Sequence, residues 1–159
     1  MLNWFSTWIQ TTWLNKLMVG NPIAFTAAET VHFMGLTVLV GTLLVVDLRG
    51  LGFLKQMPLK DIHKLVPFAI GAFVVQLATG IGFISTNPHH YFEDLSFQLK
   101  MLLVAVAGVN ALVFEFAVFR PLAAGKPGIE NGALIKITSG LSILIWALVL
   151  IFGRLIPYV

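Results

Sequence analysis

Four long stretches of predominantly apolar residues constrain this chain more than any other feature. They run over about 23–46, 65–85, 97–119 and 135–156. A helix needs about 20 such residues to cross a bilayer. Each stretch should be helical, because a lone spanning strand would leave its backbone groups unpaired in lipid. The sequence therefore predicts an all-α fold, an integral membrane four-helix bundle.

The composition supports this fold class. Only 11% of the 159 residues are charged, whereas a soluble domain carries about 25%. Four spans with short loops use the whole length, so we expect a single membrane domain over 1–159. The chain has no cysteine, which excludes disulfides, iron–sulfur clusters and thiol-attached haem. Its basic residues lie in loops rather than in one patch, so no nucleic-acid partner is expected.

The first 19 residues predict an amphipathic helix that lies in the membrane interface. Trp4, Trp8 and Trp13 recur at helical spacing among polar residues, as in helices that rest in the headgroup layer. The segment has neither the basic start nor the continuous apolar core of a signal peptide. The sequence Gly20-Asn21-Pro22 should end it.

The orientation follows from the basic residues. Seven of the ten lie in or beside the loops that follow the first and third spans: Arg49, Lys55, Lys60, Lys64, Arg120, Lys126 and Lys136. The positive-inside rule places these loops in the cytoplasm. We therefore expect a bacterial inner-membrane protein with both termini on the extracytoplasmic side.

His32 is the only histidine within a span, and Glu29 lies one turn before it on the same helix face. A carboxylate beside an imidazole fixes its tautomer, as behind many metal-bound histidines. The alternative is a core histidine bonded to a backbone carbonyl or to a threonine. His63 lies on the cytoplasmic side. About 30 Å of hydrocarbon prevents it from sharing a site with His32, and we interpret it as a solvated loop residue.

Other polar residues lie at the same depth as His32. Lys100 either extends its ammonium to the headgroups or pairs with Glu29 or with an acidic ligand. Arg154 either anchors the fourth span beside Tyr158 or clamps an anion. His89, His90 and Met101 carry imidazole and thioether groups, which ligate haem iron or copper, although adjacent loop histidines are often simply exposed.

Two amides lie near the centre of the bilayer, Gln76 in the second span and Asn110 in the third. Such amides commonly hydrogen-bond between helices, and we predict that these two meet, directly or through a nearby helix. Glu115, close to the cytoplasmic end of the third span, should pair with Arg49 or Arg120.

The sequence over 32–36 and 47–52 resembles an uncharacterised bacterial family of four-helix membrane proteins, which has a first-span histidine and a DLRLLG-type stop. Residues 97–102, Asn110 and 153–156 also match its pattern. The resemblance covers nearly the whole chain and implies the four-helix membrane fold, but it brings no function.

More distantly, the chain is similar to the membrane-bound protoporphyrinogen oxidase family and to the copper-resistance D family, both small helical bundles with intramembrane histidines. The oxidase family begins its third span with W-x-H-x-K. The matching residues here are Phe97-Gln98-Leu99-Lys100, in which the lysine matches but Leu99 replaces the imidazole. The resemblance implies His32 as a candidate axial ligand.

Two functions are expected from these features. The first is a redox subunit that holds haem b, or copper, in the outer leaflet, with His32 as a ligand. The second ligand and the surrounding polar groups would come from His89, His90, Met101, Glu29, Lys100 and Arg154. The alternative is a cofactor-free structural subunit that docks on other membrane subunits or on a second copy. No nucleotide-binding or hydrolase motif is present.

Overall fold

The computed structural model describes residues 2–126, 128–129 and 132–158, which contain helices and no strand. The described residues form nine α-helices. A π-helical segment lies between the seventh and eighth, and a 3₁₀ turn follows the ninth. In chain order the elements are α1 Leu2–Gln10, α2 Trp13–Gly20, α3 Pro22–Leu51, α4 Leu59–His63, α5 Val66–Thr86, α6 Pro88–Glu93, α7 Leu95–Val113, the π segment Phe114–Phe119, α8 Arg120–Ala123, α9 Ala133–Leu155 and the 3₁₀ turn Ile156–Tyr158. The predicted all-α fold is confirmed.

Four helical stretches are long and apolar enough to cross a membrane, and we call them the first to fourth spans. They cover Pro22–Leu51, Leu59–Thr86, Leu95–Ala123 and Ala133–Tyr158. The chain is therefore a multi-pass membrane protein in a helical bundle. The residues 52–58 and 120–126 lie at one end of the bundle, here called the basic side. The helices α1 and α2 lie at the other end, here called the amino-terminal side.

The first span is longer than the predicted stretch 23–46. Its charged residues Asp47 and Arg49 do not end the helix, which continues to Leu51. Both are buried, at 6% and 7% exposure. The helix instead begins and ends at recognisable caps. The Asn21 side chain accepts hydrogen bonds from two backbone N–H groups of the first turn. At the other end, Gly52 has a φ of 94°, the left-handed conformation that closes many helices.

The spans pack in the order second, first, fourth, third. Helix α3 packs against both α5 and α9, and α7 packs against α9. Within the described residues, α5 and α7 make little contact with each other. The bundle is thus closed on three sides, and we call the space between α5 and α7 the lateral gap.

The lateral gap is bridged at both ends of the bundle. On the basic side, Leu59 of α4, Val118 of the π segment and Ile135 of α9 form a fully buried cluster. On the amino-terminal side, α6 contacts both α1 and α7. The second and third spans are therefore connected at their ends and separated along their middle.

The amino-terminal segment is two short helices rather than the one predicted helix. The hydroxyls of Thr11 and Thr12 bond back to the carbonyl oxygens three residues earlier, which ends α1 and lets Thr12 cap α2. Met18 of α2 packs on Gly82 of α5. The predicted tryptophan stripe is exposed. Its members Trp4, Trp8 and Trp13 are 75%, 53% and 73% exposed.

The two mid-membrane amides join helices, as predicted, but they do not meet. The Gln76 amide nitrogen donates to the carbonyl oxygen of His32 at 2.5 Å. The Asn110 amide nitrogen donates to the carbonyl oxygen of Thr138 at 3.0 Å. The predicted Gln76–Asn110 meeting is wrong because these residues lie on α5 and α7, the two helices that the lateral gap separates.

The closest approach of α3 and α9 generates a prediction about stability. Gly50 is buried, and a Cβ at this position would overlap the Ser139 hydroxyl and lie 3.3 Å from the Ile135 side chain. Gly50→Ala should lower the free energy of unfolding by about 1–3 kcal/mol, because the packed helices must separate. Gly71→Ala is the matched control, since nothing lies within 4 Å of its Cβ position. If Gly50→Ala and Gly71→Ala had the same free energy of unfolding in detergent, the close approach of α3 and α9 would be contradicted.

The absence of cysteine allows a direct test of the predicted orientation. We expect Thr11→Cys to react with a membrane-impermeant maleimide in intact cells. Lys126→Cys, on the basic side, should react only after the cells are permeabilised, because the positive-inside rule places it in the cytoplasm. The reverse labelling pattern would show that the orientation is inverted.

Candidate functional site

His32 is half-buried on α3 and is held by a threonine of the neighbouring span. Its Nδ1 atom lies 2.7 Å from the hydroxyl oxygen of Thr79 on α5. The Thr79 hydroxyl donates its single hydrogen to the carbonyl oxygen of Val75 at 2.7 Å. We therefore assign the imidazole proton to Nδ1, which donates to Thr79. Nε2 then carries an unshared electron pair.

Aromatic rings surround this imidazole. The Phe83 ring meets it edge-on at 5.2 Å between centroids, and the Phe33 ring lies at 6.5 Å. Within the described part of the chain, Nε2 of His32 has no hydrogen-bond partner. The bond to Thr79 is the one expected of a core histidine, yet it also leaves the second ring nitrogen free to bind a ligand.

Lys100 on α7 is half-buried and extends into the bundle. Its ammonium lies beside the backbone of Gly153, where a Cβ would be 3.4 Å from the nitrogen. Its charge acts on the His32 imidazole. Among the residues that the structure describes, Lys100 has no ion-pair or hydrogen-bond partner. His32 is thus bonded to α5, and the charge of Lys100 on α7 acts on it.

Among the described residues Glu29 forms no ion pair with Lys100, which was one of the alternatives for that lysine. Its carboxylate instead acts on Tyr91 of α6, on the amino-terminal side. Burial raises the pKa of the Tyr91 phenol, and the negative charge of Glu29 raises this pKa further. The Tyr91 ring packs edge-on against Phe97. The negative charge of Glu29 is therefore felt on α6 rather than in an ion pair with Lys100.

Arg154 is exposed, and its guanidinium contacts a tyrosine of the 3₁₀ turn that ends the same span. Its guanidinium donates to the Tyr158 hydroxyl at 3.0 Å and lies 5.3 Å from the centre of that ring. This arrangement matches the interpretation of Arg154 as an anchor beside Tyr158. Its donors that do not contact Tyr158 stay open to an anion.

The three candidate second ligands are exposed. His89 and His90 lie in the first turn of α6, and Met101 is 43% exposed on α7. No hydrogen bond or ring contact joins any of them to His32 in the described part of the chain. The same part contains no group of three or more His, Cys, Asp or Glu side chains arranged to hold a metal ion.

A cluster on the basic side was not predicted as a unit. His63 is half-buried, and its Nε2 atom lies 2.9 Å from a carboxylate oxygen of Glu115. Arg120 contacts the other oxygen at 3.3 Å, which confirms one of the two predicted partners of Glu115. The imidazole stacks on Phe119 with 3.2 Å between ring centres. The interpretation of His63 as a solvated loop residue is therefore wrong.

The π-helical segment explains why this cluster was missed. A π-helix adds residues to a turn and so rotates the side chains that follow. Glu115, Phe119 and Val118 all lie within or at the end of this segment. Hydrophobic spacing of 3.6 residues does not reveal such a change of register. Only the sequence proximity of Glu115 to Arg120 could indicate part of the cluster.

Asp47 was also not recognised as a buried group, because it was interpreted as the end of the first span. Its carboxyl group interacts with the Ser142 side chain of α9. The sequence signal that could have indicated this is the pair Ser139 and Ser142, which lie on one face of the fourth span.

Comparison with known proteins gives one match. Residues 4–159 match the model of DUF6644, a family of unknown function. No curated protein and no solved structure matches the chain. The distant likeness to the protoporphyrinogen oxidase and copper-resistance D families thus stays a prediction. Because the match covers nearly all residues, the chain belongs to the family DUF6644.

Proposed function

We propose that the chain binds haem b between its spans and serves as an electron-carrying membrane subunit. The observation that carries this proposal is the 2.7 Å hydrogen bond between His32 Nδ1 and the Thr79 hydroxyl, in which we assign Nδ1 as the donor. A metal-binding histidine almost always donates its other ring N–H to a fixed acceptor, which orients the imidazole. Here the acceptor belongs to a neighbouring helix, and Nε2 is left as the ligand atom.

The surroundings of His32 suit a flat, acidic macrocycle. Phe33 and Phe83 provide an apolar environment, and a dry environment helps to set the potential of a haem. Lys100 offers a positive charge without a partner among the described residues, and a propionate would neutralise it. The lateral gap would admit the macrocycle from the lipid. Bound haem would supply the one-electron chemistry, and the helices would hold and orient it.

The second axial position is proposed to be filled from the same side of the membrane. His89 and His90 on α6 and Met101 on α7 are the candidates, since all three lie toward the amino-terminal side. Copper is the alternative cofactor, because imidazole with thioether is also a suitable ligand pair for copper. On the predicted orientation, either cofactor would lie in the outer leaflet of a bacterial inner membrane.

A cofactor-free subunit of a larger complex is the second candidate function. The observation that favours it is the separation of α5 from α7. A helix of another membrane protein, or of a second copy, could fill the lateral gap instead of a cofactor. The polar side chains would then serve only to join helices.

The main test is the absorption spectrum of the purified protein together with metal analysis. The parent should show the intense band of haem, and His32→Ala should lose most of it because the ligand atom is gone. His63→Ala is the matched control, since it removes a half-buried histidine on the basic side. A parent with neither haem nor copper, or a His32→Ala variant with its full complement, would favour the cofactor-free function.

Thr79→Val tests whether the hydrogen bond positions the ligand. The valine keeps the size of the side chain but offers no acceptor to Nδ1. We expect haem affinity to fall about 10–100-fold, the usual cost of losing such a partner. Thr30→Val, at an exposed position on α3, should bind haem as the parent does. If the parent, Thr79→Val and Thr30→Val bound haem with equal affinity, Thr79 would have no positioning role.

A further inference from the structure

Asp47 is a buried carboxyl group at the basic end of α3. Asp47 is 6% exposed, and its carboxyl group interacts with the Ser142 side chain of α9. Within the described residues, no ion pair joins Asp47 to a cation. The carboxyl group lies against the fourth span, one turn before the close contact of Gly50 with Ser139.

The charged and titratable groups around Asp47 are engaged elsewhere or exposed. Helix α5 has none over Val66–Thr86. On α3 itself, Arg49 donates from Nε to the carbonyl oxygen of Met57. On α4, Asp61 pairs with Lys64, and His63 pairs with Glu115. The remaining neighbours, Lys60 of α4 and Lys136 of α9, are exposed.

An ionised Asp47 would be costly in this position. The penalty for burying an unpaired charge is several kcal/mol, even after the protein relaxes. A buried carboxylate without a cation usually takes up a proton instead. The neutral acid can then donate one hydrogen bond and accept others.

Ser139 provides a second observation at the same place. Its hydroxyl is fully buried and has no hydrogen-bond partner among the described residues. It packs against Gly50, which lies one turn after Asp47 on the same face of α3. Ser139 and Ser142 are likewise one turn apart on α9. These positions form one polar patch across the helix crossing, and Ser139 is its unsatisfied member.

We propose that Asp47, Ser139 and Ser142 form an intramembrane proton-binding site, occupied at neutral pH. Uptake forms an O–H bond on the Asp47 carboxyl group, and release returns the proton toward the basic side. The Ser142 side chain interacts with the carboxyl group, and the Ser139 hydroxyl, which has no partner among the described residues, would bond to it in either form. This site needs no cofactor, so it is independent of the proposed haem site.

Infrared spectroscopy of the full-length protein in lipid vesicles tests this proposal. A protonated carboxylic acid has a carbonyl-stretch band that is separate from the bands of carboxylates and amides. We expect the parent to show this band at neutral pH and to lose it as the pH is raised. Asp47→Asn should lack the band. The control Asp61→Asn, which changes an exposed acid paired with Lys64, should retain it.

Ser142→Ala keeps the proposal falsifiable if Asp47→Asn fails to fold. Removing the hydroxyl that interacts with the Asp47 carboxyl group should shift the frequency of the band. A parent without the band at neutral pH, or a band that Asp47→Asn and Ser142→Ala leave unchanged, would overturn the proposal. Loss of the band on addition of Na⁺ at constant pH would overturn it too, because the site would then select a metal cation.

Discussion

Hydrocarbon offers no hydrogen-bond partners, so each polar side chain inside the spans must find one in the protein. In this chain the partners lie across helix contacts. Gln76 joins α5 to α3 through a backbone carbonyl, and Asn110 joins α7 to α9 in the same way. Such bonds contribute roughly 0.6 kcal/mol each on average. Together with the close contact at Gly50, they set which helices are neighbours.

The groups left unsatisfied by this rule are the informative ones. Nε2 of His32 and the Lys100 ammonium lack partners in the described part of the chain. The Ser139 hydroxyl is unsatisfied at the crossing of α3 and α9. A polar group that stays unpaired in a membrane is expensive and is usually functional. These are the two locations for which we propose ligand binding and proton binding.

Much of the fold could be predicted from the sequence, because the length and hydropathy of a segment determine whether it can span a bilayer. The four spans and the break at Asn21-Pro22 follow from these properties. The bond from His32 to a threonine was one of two predicted alternatives. The neighbours of each helix were not predictable in the same way, since hydropathy does not state which faces meet. For that reason the prediction that Gln76 and Asn110 meet was wrong.

Two features of the site were hidden for different physical reasons. The π-helical segment changes the register of the third span, so Glu115 meets His63 although periodicity does not bring them together. Asp47 was interpreted as the end of a span because it is charged in isolation. Its burial depends on Gly50 and Ser139, which allow α3 and α9 to approach closely.

The most direct test of the central claim is nitrogen NMR of the cofactor-free protein with labelled histidine side chains. The hydrogen-bond arrangement at Thr79 predicts that His32 carries its proton on Nδ1, with Nε2 unprotonated and available. The His32→Ala spectrum identifies its signals among those of the four histidines. A His32 signal from the opposite tautomer, with the proton on Nε2, would contradict the proposal that this nitrogen is the ligand atom.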